Sequence, residues 1–189
     1  MGRFLLGLVI GIIFVPLALF VYIKSGSVPV AVNDPPFPQE RRLTHVPLAA
    51  RIERELVKSP PIQADETNLV AGAHIYSEQC AVCHGYHGKP SRFAKHMFPD
   101  APPLWEKHGH GDVIGVSDDP PGETYWKVAN GIRLTGMPAY KELLTDNEIW
   151  QVSVLLANAD KPLPPTAVAL LNGETSAPAP PVTEPPAKK

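Results

Sequence analysis

The longest apolar stretch of the chain is a run of twenty uncharged residues at 4–23, between Arg3 and Lys24. In helical conformation, a run of this length crosses the hydrocarbon core of a bilayer. A cleaved signal peptide usually has an apolar core of only about 7–15 residues, followed by small residues at the cleavage site. Residues 25–29 match such a site poorly. The apolar pattern therefore predicts a retained transmembrane anchor helix at residues 4–23.

The segment at 24–61 has the pattern of a proline-rich linker that contains one short helix. Prolines are so frequent at 28–38 that a helix is excluded and an extended, polyproline-like spacer is expected. Farther along, Leu48, Ile52 and Leu56 recur four residues apart among basic side chains, which indicates an amphipathic helix. Its apolar face can lie on a lipid surface, dock on a partner subunit or pack on the chain's own domain.

The first helix of the central region, residues 62–172, leads into the only two cysteines of the chain. Asp65 or Thr67 can cap its N-terminus. The residues that share one face are Leu69, Ala73, Tyr76 and Cys80. Gly72 lacks a Cβ, so we expect another helix to cross closely at this point, with Tyr76 filling the adjoining space.

Three further helices are expected in the second half of the central region. A short helix at 123–129 is stopped by Asn130-Gly131, a common C-terminal cap. Thr145 and Glu148 form a capping box that opens a longer helix. The apolar residues of that longer helix are Ile149, Val152, Leu155 and Leu156, with Trp150 beside them. A last short helix at 166–171 is expected to pack on the domain.

Charge is distributed unevenly along the chain. The central region carries eight basic and thirteen acidic residues, a formal net charge of −5, whereas residues 1–61 carry seven basic and four acidic ones. An acidic domain argues against nucleic acid as a partner. Residues 173–189 carry two charges of each sign and are proline-rich and of low complexity, which predicts a disordered tail.

The two cysteines belong to the stretch Cys80-Ala81-Val82-Cys83-His84, a C-x-x-C-H motif typical of covalent c-type haem attachment. Residues i and i+3 of a helix project from the same side. Both thiols can therefore reach the two vinyl groups along one porphyrin edge while His84 binds the iron. A thioredoxin-like redox pair needs a preceding strand and an α/β pattern, which the sequence lacks, and a structural disulfide over so short a loop is a weaker alternative. The motif predicts one covalently attached haem c.

Gly72, Tyr76 and the haem motif together have the spacing G-x-x-x-aromatic-x-x-x-C-x-x-C-H. In this the chain resembles the class I, mono-haem c-type cytochromes, in a membrane-anchored bacterial form. The resemblance covers residues 62–172 and implies an all-α, cytochrome c-like domain around one covalently attached haem, with Tyr76 in the haem pocket. The chain departs from the family at Leu155, where the last helix frequently has an aromatic residue.

Met137, which lies between a glycine and a proline, is the candidate sixth ligand of the iron. The G-M-P-A-aromatic segment at 136–140 resembles the class I sixth-ligand loop. The flanking glycine and proline restrict the backbone and leave the sulfur free to project. The competing thioether is Met97. The histidines that could supply a nitrogen instead are His87, His96, His108 and His110.

The stretch between the haem motif and residue 111 is loop-like, with frequent glycine and proline. Its basic residues, in an otherwise acidic domain, are Lys89, Arg92, Lys95 and Lys107. Pro102-Pro103-Leu104 resembles the family's proline-leucine segment, in which a backbone carbonyl accepts the ring N–H of the axial histidine. Pro103 is a candidate for this role, and the choice between the two prolines stays open. Trp105 can face a haem propionate or simply pack in the core.

Taken as a class I cytochrome, the chain is expected to be a one-electron carrier and not an enzyme by itself. Ligation by histidine and methionine leaves the iron no open position, and the thioether raises its reduction potential. The expected upstream partner is a quinol-oxidising complex or a dehydrogenase. The expected downstream partner is a terminal oxidase, a reaction centre or a reductase.

The expected location is the bacterial inner membrane, crossed once. Haem is attached on the outer side of that membrane, so we expect residues 1–3 in the cytoplasm and the haem domain in the periplasm. A subunit role in a larger respiratory or photosynthetic membrane complex is compatible with electron transfer. The alternative function is that of a haem enzyme with an open sixth position, with peroxidase-like or gas-binding chemistry.

Overall fold

The computed structural model describes residues 1–108 and 112–174, and within these ranges the chain forms helices and loops with no β-strand. The seven α-helices are α1 (Gly2–Lys24), α2 (Glu40–Glu55), α3 (Glu66–Ile75), α4 (Ala81–His84), α5 (Pro121–Asn130), α6 (Asp146–Leu156) and α7 (Pro165–Leu171). A π-helical turn, Tyr76–Cys80, joins α3 to α4, and a short 3-10 turn, Ala94–His96, follows in the next loop. The expected all-α fold is confirmed. Most of the tail predicted to be disordered, and His110, lie outside the described residues.

The chain divides into two compact units, Met1–Leu48 and Ala49–Lys189. The first unit contains α1, whose mean hydropathy is 2.9 and whose side chains are all outside any packed core. Helix α1 is long and apolar enough to cross a membrane. Between α1 and α2 there is no helix, as the density of prolines predicts, but several turns interrupt the extended spacer that was expected.

The second unit includes the C-terminal turns of α2, which pack on the domain that follows. Ile52 is only 5% exposed, and the carboxylate of Glu55 accepts a hydrogen bond from the indole N–H of Trp126 at 3.0 Å. A Cβ on Gly122, at the start of α5, would overlap the carbonyl oxygen of Val57. The apolar face at the C-terminal end of α2 therefore packs on the chain's own domain.

Helices α3 and α6 cross at Gly72, as its position in the sequence predicts. A Cβ on Gly72 would overlap the backbone carbonyl of Gln151, so only glycine permits the backbones to come so close. The side-chain amide of Gln151 donates to Asn68 at 3.1 Å beside the crossing. Of the two candidate N-caps of α3, Asp65 is the one used, since its carboxylate accepts from the Asn68 backbone N–H.

Helix α6 forms the centre of the core because it contacts both α3 and α5. It opens with the predicted capping box of Thr145 and Glu148. Its buried residues are Ile149, Trp150, Val152, Ser153, Val154, Leu155 and Leu156. Trp150 stacks on Tyr125 of α5 with ring centroids 4.2 Å apart, while α7 packs against α3. These helices form the scaffold that carries the haem motif and the methionine loop.

Candidate haem site

The haem motif lies at the end of a helix that changes its winding just before the first cysteine. The predicted continuous helix instead becomes a π-helical turn from Tyr76 to Cys80, and α4 then carries Cys83 and His84. Such turns occur frequently at functional sites. The two thiols are partly exposed and are not bonded to each other.

The chemistry of Cys80 argues against a thioredoxin-like pair. Burial raises the pKa of its thiol to about 12, and the neighbouring Cys83 acts in the same direction. Reactive redox cysteines have the opposite property, because a cationic or helix-dipole environment lowers their pKa. The environment of Cys80 therefore does not favour a reactive thiolate.

His84 is oriented for axial ligation by a backbone carbonyl. Its Nδ1 lies 2.8 Å from the carbonyl oxygen of Pro102, which accepts the Nδ1–H in the tautomer that leaves Nε2 to bind a metal. Burial lowers the pKa of His84, an effect that the Pro102 carbonyl partly opposes, so the neutral form needed for ligation is favoured. Of the two candidate prolines, the acceptor is thus Pro102 and not Pro103, because Pro102 is where the returning loop meets the ring.

Trp105 and Tyr76 pack against each other in the core beside the motif. Their rings meet edge to face at 5.5 Å, and both are buried. The Tyr76 hydroxyl donates to the Gly85 carbonyl at 2.7 Å, which holds the chain as it leaves α4. The indole N–H of Trp105 is also buried, and it lies beside the hydroxyl of Tyr76, where its effect on the Tyr76 pKa opposes the larger rise that burial causes. Of the two roles expected for Trp105, this burial against Tyr76 supports packing in the core.

The methionine loop, residues 131–140, is built by close backbone contacts. Gly131 has φ +64°, and a Cβ there would lie 2.7 Å from the backbone nitrogen of Ala139, so glycine is required where the loop crosses itself. The hydroxyl of Thr135 donates to the Ile132 carbonyl at 2.7 Å and accepts from the Met137 N–H at 3.1 Å. Met137 is half-buried and outside any helix, as its sequence context predicts.

The competing thioether, Met97, lies against the same loop. A Cβ on Gly136 would overlap the terminal methyl of Met97, so the side chain of Met97 occupies the space that a larger residue at 136 would need. Sequence separation alone does not reveal this proximity. The structure therefore places Met97 beside the loop that carries Met137. This contact does not by itself make Met97 the ligand of the iron.

The three candidate nitrogen ligands that the structure describes each make a separate contact. His108 Nε2 is hydrogen-bonded to the Gly115 carbonyl, His96 closes the 3-10 turn, and His87 lies edge-on to Trp105 at 6.5 Å. In the part of the chain that the structure describes, no group of three or more histidine, cysteine or acidic side chains could hold a metal ion. The residues fit a haem better, because the site combines two thiols one helical turn apart with an oriented imidazole.

A match to one protein family agrees with this fit. Residues 67–156 match the family described as cytochrome C oxidase, cbb3-type, subunit III. A chain in the solved reducing HAO-like protein complex of Kuenenia stuttgartiensis is 21% identical, with a TM-score of 0.41, over 55% of this chain and 49% of that one. This chain thus spans about half the length of that structure's chain. No curated protein matches significantly. The family match includes the haem motif and Met137.

Proposed function

Residues 67–156 form a cytochrome c domain that carries haem c covalently, and from this premise we propose that the chain is a one-electron carrier ligating iron through His84 and Met137. A bound haem supplies a one-electron ferric/ferrous couple. The protein contributes the attachment, the two axial ligands and the exclusion of other ligands. On this proposal the chain transfers electrons and is not an enzyme by itself.

The observation that supports the proposal most is the contact between His84 and Pro102. The 2.8 Å hydrogen bond at Nδ1 fixes both the tautomer and the ring plane. On the other face, Met137 would act as the second ligand, since Thr135 and Ile132 hold its backbone in a non-helical loop. A thioether ligand favours the ferrous state and so raises the reduction potential.

The purified protein tests this ligation directly. We expect the oxidised form to show the weak near-infrared band of methionine-to-iron charge transfer, and the reduced form to leave its visible spectrum unchanged under carbon monoxide, because both axial positions are filled. Rapid carbon monoxide binding by the reduced wild-type protein, with no such band in the oxidised form, would instead support a gas-binding or peroxidase-like haem protein.

The proposed location is the periplasmic face of the inner membrane, with α1 as a single-pass anchor. The family's description names an oxidase subunit, which favours a terminal oxidase as the electron acceptor and membership of a respiratory complex. A quinol-oxidising complex or a dehydrogenase would then supply the electrons. A reaction centre or a reductase remains the alternative acceptor.

Carbonate extraction tests the anchor. If α1 is retained, washing membranes with carbonate and high salt should leave the protein in the pellet, because burial of about twenty apolar residues far exceeds any electrostatic attachment. A matched control starts at Ser25 behind a cleavable signal peptide and should be soluble. A wild-type protein recovered from the soluble periplasmic fraction, with its N-terminus at or after Ala31, would show that α1 is removed.

A further inference from the structure

We infer that Tyr140 is a positioning residue that ties the methionine loop to the haem attachment helix. It comes three residues after Met137 in the chain, and its hydroxyl donates to the backbone carbonyl of Gln79 at 2.9 Å. Gln79 immediately precedes Cys80, the first haem-bonding cysteine. The inference rests on the proposed ligation of iron by Met137 and adds to it how the ligand is kept in place.

The acceptor lies in the π-helical turn that precedes α4. Carbonyl groups near the end of a helix lack helical partners and must find other donors. Along the π-helical turn, the hydroxyl of Tyr86 donates to the carbonyl of Ser77 at 3.3 Å, and that of Tyr140 donates to Gln79. Two phenols thus contact the same turn, but only Tyr140 belongs to the methionine loop.

Tyr140 is itself firmly held. It is only 9% exposed, and its backbone N–H donates to the Val128 carbonyl at 3.0 Å. The next residue, Lys141, donates to the Ala129 carbonyl at 3.1 Å, so the loop returns along the C-terminal end of α5. Burial raises the pKa of the phenol, which keeps the hydroxyl protonated and able to donate.

These contacts fix one end of the loop with respect to the cysteines. Met137 can move away from the iron only if the segment after it shifts, and the Tyr140–Gln79 bond resists that shift. Removal of the hydroxyl alone should leave the fold intact and let the loop open more often. The exchange of the sixth ligand should then accelerate.

The test compares Tyr140→Phe with Tyr86→Phe in the full-length holoprotein. The measurement is the rate at which added imidazole replaces the sixth ligand of the oxidised haem. We expect the rate to rise about fivefold in Tyr140→Phe, the effect of one lost hydrogen bond. In Tyr86→Phe, which loses a similar bond to the same turn, the rate should stay within about twofold of wild type. Amide hydrogen exchange at Ile132 and Met137 should accelerate in Tyr140→Phe alone.

The possible outcomes separate the explanations. Equal acceleration in both variants, or in neither, would overturn the inference, as would loss of holoprotein in both. Loss of holoprotein in Tyr140→Phe alone would show that the hydroxyl is needed for folding and would also overturn the inference. If Met137→Ala binds imidazole at the wild-type rate, the proposed ligation itself fails, and that result does not depend on either tyrosine variant.

Discussion

The double variant Cys80→Ala, Cys83→Ala should contain no covalently bound haem. Each thiol supplies one thioether bond, and the burial that raises the pKa of Cys80 to about 12 argues against a reactive thiolate at that position. Without haem the domain has only a limited hydrophobic core, because the porphyrin would supply part of the apolar packing. We therefore expect mature holoprotein to fall below about a tenth of the wild-type level.

Haem-stained denaturing gels measure this effect. Each single variant should retain at most one thioether bond and give a strongly reduced signal. Val82→Ala is the matched control, because Val82 lies between the two cysteines, is 57% exposed and makes no bond to haem, so its staining should equal that of wild type. Undiminished covalent haem in the double variant would refute the attachment site.

Met137→Ala should open the sixth position of the iron. We expect the reduced variant to bind carbon monoxide and the reduction potential to fall by roughly 100 mV or more, because the ligand that favours ferrous iron is lost. The near-infrared band of the oxidised form should disappear. Redox titration and carbon monoxide difference spectra measure the two effects independently.

Met97→Ala is the matched control for this prediction, since it removes a second thioether from the same part of the molecule. Met97 packs on Gly136, so its loss should affect the packing of the loop but leave the iron closed to carbon monoxide. The reverse pattern, with Met97→Ala opening the iron and Met137→Ala leaving spectrum and potential unchanged, would assign the ligand to Met97.

The local features of the chain follow from short-range sequence patterns. The spacing of Cys80, Cys83 and His84 specifies haem attachment, because residues three apart share a helix face and the following residue is carried around toward the iron. The N-cap at Asp65 and the capping box of Thr145 and Glu148 each use hydrogen bonds to residues within one helical turn. The apolar run in α1 needs no tertiary contact to be recognised.

Contacts between distant segments were decided only by the tertiary structure. Pro102 and Pro103 are equivalent in local sequence, and the acceptor for His84 depends on where a loop of eighteen residues returns. The proximity of Met97 to Gly136 has the same origin.

The π-helical turn before Cys80 likewise depends on distant partners. The carbonyls of Ser77 and Gln79 in this turn accept hydrogen bonds from two tyrosine hydroxyls. One of these tyrosines lies sixty-one residues away in the chain. Such pairings form because a buried polar group must find a partner wherever the packed chain places one. The sequence by itself therefore predicted which groups would hold the haem, whereas the packing of helices and loops decided which residues orient them.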